Sequence, residues 1–141
     1  MRSSEIVLKC HKIISGYGEG EALVSHEPIC FYLTDPNTGI VREKGHDLAG
    51  KSVAGKVLVF PSGKASSVVQ IDGLFKLAQH NLAPKALIVK DVETVLVVSA
   101  FIVKVPLVDR LEQDPFEAIH NGDFVKVDAE KGTVSVTRPQ P

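Results

Sequence analysis

Tryptophan is absent from this chain, methionine occurs once, and 141 residues hold only two cysteines. Cys10 and Cys30 form no C-x-x-C pair. They are too few for a disulfide framework and one short of the three thiolates that an iron–sulfur cluster needs, so both read as core residues. The five histidines (His11, His26, His46, His80, His120) are widely spaced and carry no i,i+4 signature, so no metal site is expected. Long apolar runs are missing as well. The longest, VLVVSAFIV from Val95 to Val103, is about half of the roughly 20 residues a membrane span requires. Glu5 stands where the apolar part of a signal peptide would lie and no cleavage site follows, so a cytoplasmic protein is expected. Neither sign of charge dominates: 16 Lys and Arg against 17 Asp and Glu leave a net charge of -1. The basic residues are scattered, which argues against a nucleic-acid partner.

What is present is an ordinary globular composition, 44% hydrophobic and 23% charged. The length fits one domain over 1–141, with 138–141 as a frayed tail. Ile6 to Ile14 alternates as a first strand, Gly20 to Ser25 reads as a second, and ICFYL after Pro28 as a third. A loop of more than twenty residues, Thr34 to Gly55, is either functional or pinned against the rest of the chain. KVLVFP (Lys56 to Pro61) and KALIV (Lys85 to Val89) are continuous apolar runs, the mark of strands covered on both faces. Between them a helical stripe of Val68, Ile71, Leu74, Phe75 and Ala78 predicts a βαβ unit. Asp91 to Lys104 fits either strand or helix by composition, and the segment Val95 to Val103 either core or partner face. Pro106 to Asp109 predicts a short strand, with Asp109 and Arg110 reading as a local ion pair. A helical turn from Asp114 and a closing hairpin from Phe124 to Val136 complete a mixed α/β fold, closed either as a compact, barrel-like domain or as an open sheet with a few helices.

The junction VFPSGKASS (Val59 to Ser67) carries the most chemistry. Ser66 or Ser67 can cap the following helix. The same segment can also hold a carboxylate or phosphate. The first helical turn offers unpaired N–H donors, Gly63 admits a ligand to the backbone, and Lys64 adds a full charge. The spacing fits neither a P-loop nor a nucleophile elbow. No Asp and His pair is placed to activate a serine nucleophile, which leaves a free-standing serine hydrolase without support. A serine in positive surroundings can instead take a proton as its alkoxide.

Several segments, in order, resemble the small, swivel subunit of the aconitase X family. They are EGEALVS (Glu19 to Ser25), DPNTGIV (Asp35 to Val41), LAGKSVAG (Leu48 to Gly55), VLVFPSGKASS (Val57 to Ser67), APKALIV (Ala83 to Val89) and VPLVD (Val105 to Asp109). The resemblance implies a swivelling β/β/α domain and favours a short helix over the segment 91–104. It also implies one half of a two-subunit hydro-lyase, whose large catalytic subunit completes a heterodimer and carries the iron–sulfur cluster. The implied substrate is a small anionic hydroxy acid: mevalonate 5-phosphate, or alternatively cis-3-hydroxy-L-proline. The family's G-K-G-S loop makes Ser66 the proton-abstracting base, with Gly63, Lys64, Ala65 and Ser67 as substrate-binding residues. Four segments depart from the family pattern, one of them Val97-Val98-Ser99 in place of small Thr-Gly-Ala-type residues. Ala65 replaces a glycine, Val69-Gln70 replaces Gly-Ser, and Tyr32-Leu33-Thr34 replaces Leu-Gly-Gly. Each enlarges a side chain near the expected pocket, so a non-catalytic binding or regulatory module is the alternative.

Overall fold

The structure, a computed structural model, describes residues 3–64 and 67–139. Eight strands form one mixed sheet: β1 (Ser3–Lys9), β2 (His11–Ile14), β3 (Tyr17–Val24), β4 (Val57–Phe60), β5 (Ala86–Val89), β6 (Leu107–Asp109), β7 (Phe124–Asp128) and β8 (Thr133–Pro139). Three helices accompany them: α1 (Ser67–Gln79), α2 (Thr94–Val103) and the single turn α3 (Pro115–Ala118). Their order in the sheet is β1-β8-β7-β3-β4-β5-β6-β2. The stretch β3-β4-β5-β6 is parallel, and all other pairings are antiparallel. β3 joins the two halves, pairing with β7 through Tyr17 to Glu21 and with β4 through Ala22 to Val24.

The sheet curls until its ends meet. β1 and β2 lie at opposite ends of the strand order, yet Cys10 alone separates them in the chain. Leu8 of β1 and Val108 of β6 accordingly share one apolar cluster with Val57, Val59, Ile88, Val125, Val127, Val134 and Val136. The alternate residues of the parallel strands, Leu23, Leu58, Phe60, Leu87, Val89 and Leu107, build a second core beneath α1 and α2. Both faces of β4 and β5 are therefore buried, as their unbroken apolar runs predicted.

Four sequence expectations change. Ile6 to Ile14 is two strands, because the Cys10 amide donates to the Gly132 carbonyl and the chain crosses there from one end of the sheet to the other. ICFYL forms no strand. Phe31–Leu33 is a 3-10 turn, closed by amides of Leu33 and Thr34 on the carbonyls of Cys30 and Phe31. On α1, Leu74 and Leu77 are buried while Phe75 is exposed. Gly73 sets that rotation: a Cβ there would stand 2.3 Å from the Tyr32 nitrogen, so this face lies directly against the 3-10 turn. Finally, Arg138, expected in the tail, belongs to β8 and clamps Asp123 through two hydrogen bonds of 2.9 and 3.1 Å.

The segment 91–104 does hold a helix. α2 starts at Glu93, whose carboxylate accepts from the amides of Val95 and Leu96. It buries Leu96, Ser99 and Ala100 and leaves Phe101 exposed, so one face is core and the other is open. The long loop is pinned: Val41, Leu48 and Val53 insert into the helix-side core. His46, also buried, donates from Nε2 to the Pro28 carbonyl and accepts from the Leu48 amide at Nδ1, which selects one neutral tautomer. Among the described residues no helix is long and apolar enough to cross a membrane.

Candidate active site at the carboxyl edge of the parallel strands

Parallel strands with helical crossovers place the connections that follow them along one edge, where α/β proteins bind ligands. Here that edge carries the segments after β3, β4, β5 and β6. The segment after β4 runs Pro61, Ser62, Gly63, Lys64 and enters α1 at Ser67. Backbone bonds fix it from both sides. The Ile29 amide donates to the Ser62 carbonyl, and the Lys64 amide returns a bond to the Ile29 carbonyl, making a short parallel bridge at Gly63. On the other side the amides of Lys90 and Asp91 both donate to the Pro61 carbonyl, at 3.2 and 2.9 Å.

The segment after β3 is stitched to the long loop. The His26 amide donates to Asp47 Oδ2 at 2.8 Å, and the Asp47 amide donates to Glu27 Oε2 at 2.7 Å. The His26 amide, and then its imidazole, hold the Asp47 carboxyl below the usual carboxylate range. Further along the loop, the amide of Asn37 and the Arg42 guanidinium lower Asp35 in the same way. These turns leave Glu43 facing the junction, where its Oε2 lies 2.5 Å from Lys64 Nζ.

Of the residues singled out in the sequence, Gly63 and Lys64 lie at this edge. Ala65 and Ser66 fall outside the described residues. Ser67 is the first residue of α1, and its side chain is likewise undescribed. Glu43 escaped sequence reasoning. It is 21 positions from Lys64, and nothing in the loop's composition marks it. The edge thus offers one ammonium ion held in place by a carboxylate, backbone amides entering a helix, and a glycine without a Cβ to obstruct approach. Such a set can orient a small anion and leave a neighbouring hydroxyl to act on it. Among the described residues no group of three His, Cys, Asp or Glu side chains comes close enough to hold a metal ion. Cys10 and Cys30 lie apart as free thiols. Burial first, then the Asp109 and Asp128 carboxylates, push the Cys10 thiol up to about 11. The residues present do not fit an iron–sulfur cluster.

Comparison with known proteins converges on one family. The pattern of the aconitase X swivel domain matches residues 7–136. A Methanosarcina acetivorans protein named phosphomevalonate dehydratase small subunit is 44% identical over 136 residues, covering 96% of this chain and 94% of the relative. A Thermococcus kodakarensis protein of the same name is 42% identical over 130 residues, covering 92% and 95%. Among solved structures, a chain of the crystal structure titled Thermococcus kodakaraensis aconitase X (holo-form) superposes with a TM-score of 0.83 at 41% identity, covering 93% of this chain and 98% of that one.

Proposed function

This chain belongs to the aconitase X swivel domain family, and from that premise we propose that it is the small subunit of a two-subunit dehydratase acting on mevalonate 5-phosphate. The observation that carries the reading is the near-full-length identity to relatives named phosphomevalonate dehydratase small subunit. The whole chain acts as one swivel domain, and its carboxyl edge meets the large subunit.

The reaction removes a proton from the carbon next to the carboxylate and hydroxide from the next carbon, forming a double bond and water. Ser66 is the base: as its alkoxide it takes the proton, and the electron pair of the broken C–H bond becomes the new π bond. An alkoxide near neutral pH needs concentrated positive charge, which Lys64 and the amides of the 63–67 segment supply. Gly63 gives the substrate access to those amides, and the Ala65 and Ser67 amides join them. An iron–sulfur cluster, for which the described residues offer no ligand set, belongs to the large subunit and would supply Lewis acidity for the departing hydroxyl.

Reconstitution with the large subunit tests the assignment. Ser66→Ala should lower kcat for mevalonate 5-phosphate by about 10²-fold or more, the scale of a lost general base. A variant that turns over like the wild type removes Ser66 from the mechanism. One observation favours the non-catalytic module instead: Lys64 is already paired with Glu43. Dehydration of any 3-hydroxy acid by the purified complex, cis-3-hydroxy-L-proline included, ends that second reading.

A further inference from the structure

Among the described residues, three other than glycine take positive φ: Asn81, Lys104 and Arg110. The first two close helices. Asn81 follows α1, and Lys104 caps α2 with its amide on the carbonyls of Ala100 and Phe101. Arg110 (φ 50°) closes none; it ends β6 at the carboxyl edge, where glycine or asparagine would turn the chain without the strain that arginine bears. The local ion pair expected with Asp109 does not form, because Asp109 Oδ1 lies 2.8 Å from His11 Nδ1. Among the described residues the Arg110 guanidinium has no hydrogen-bond or ion-pair partner.

Arg110 is exposed and lines a hollow of 250 Å³ with Lys90, Leu111, Glu112, Gln113, Asp114 and Pro115. The two carboxylates there are tied to backbone amides, Glu112 to Lys9 at 2.6 Å and Asp114 to Phe116 at 3.0 Å. Lys90 Nζ stands 5.8 Å from the centre of the Phe116 ring. Two cations with no ion-pair partner among the described residues, Lys90 and Arg110, therefore face one concavity, with the two amide-bound carboxylates on its rim. The concavity adjoins the junction, since Lys90 and Asp91 bond the Pro61 carbonyl. β6 is two strands from β4, a lateral spacing of about 10 Å, and the segments carrying Arg110 and Lys64 leave the same edge of the sheet.

We propose that Arg110, assisted by Lys90, seats the phosphate end of the substrate while the carboxylate end lies at Lys64 and Gly63. The inference rests on the dehydratase reading and adds the determinant that selects a phosphorylated hydroxy acid. A guanidinium fork matches two phosphate oxygens, which a lone ammonium cannot do.

Arg110→Gly removes the guanidinium and relaxes the backbone, so the variant should melt no lower than the wild type. In the reconstituted complex it should raise KM for mevalonate 5-phosphate by about tenfold or more, the scale of one lost charge-assisted hydrogen bond, with kcat little changed. Inhibition by inorganic phosphate should weaken by a similar factor, and Arg110→Lys should restore part of both. Unchanged KM and unchanged phosphate inhibition overturn the proposal. A wild-type complex with no activity on the phosphorylated acid sinks the dehydratase reading instead. The anion seat is then judged by titrating the full chain with inorganic phosphate and following amide resonances. Shifts around residues 90 and 110–112 that disappear in Arg110→Gly support the seat, and their absence in the wild type overturns it.

Discussion

Gly73 shows how one missing methyl group orients the helix that follows the charged junction. A Cβ there would meet Tyr32 N at 2.3 Å and Phe31 C at 2.4 Å, both backbone atoms that cannot swing away. Gly73→Ala should therefore cost about 3 kcal/mol, at the upper end of overpacking, read as a lower denaturant midpoint. It should also impair activity by rotating α1 and the segment that enters it. The Lys64–Glu43 pair answers to a different balance. Lys64 is partly exposed, so the pair contributes less than about 1 kcal/mol to folding. Its effect falls on binding. Glu43→Gln leaves Lys64 without a counter-charge, and the reconstituted enzyme should show a lower KM for its anionic substrate with an almost unchanged melting temperature. Sequence inspection reaches Lys64 through its junction but not Glu43, because a contact across 21 residues depends on how the long loop folds back.

At the scale of elements, the strands with both faces covered and the closing hairpin were legible, whereas the break at Cys10 and the turn at ICFYL were not. β4 and β5 announce themselves as unbroken apolar runs because neither has a solvent face. ICFYL has the same β-branched and aromatic character, yet packing of Phe31 against Phe60 and of Tyr32 against Gly73 winds it into a 3-10 turn. Tertiary contact there outweighs local preference. The end of β8 is held by Arg138 on Asp123, whose carboxyl is almost fully buried. Burial alone would push that carboxyl up, but the Arg138 guanidinium and the His120 amide outweigh it and hold it below its ordinary value of 3.8. A depressed carboxyl stabilises the fold above 3.8, and the contribution disappears as pH falls through the folded value. Asp123→Asn should lower stability at neutral pH by about 2–3 kcal/mol, given an arginine that is itself partly exposed. Its further loss of stability below pH 3.8 should be smaller than in the wild type, as chemical denaturation across that range would reveal.

For the whole molecule, closure of the sheet decides what is protected. Cys10 sits at the seam where the two ends of the strand order meet, and its thiol is raised to about 11. In the native protein an alkylating reagent should label it far more slowly than a free cysteine at pH 8, and rapidly once the chain is unfolded. Fast labelling of the folded chain would mean that the seam stands open. The two edges of the parallel strands also differ in chemistry. The carboxyl edge gathers Lys64, Glu43, Lys90 and Arg110, whereas a 740 Å³ apolar hollow between β2 and the end of α2 lies at the opposite edge.

From residues alone came the class of fold, the βαβ centre, the closing hairpin and the charged junction after β4. Each is written in neighbouring positions, through apolar runs, helical spacing and turn chemistry. Only the folded chain split Ile6 to Ile14 between opposite ends of the sheet, set α1 on Gly73, joined Glu43 to Lys64 and left Arg110 unpaired at a strained turn. Those outcomes depend on which distant segments share a surface, and that is decided by burying two cores at once rather than by any local pattern.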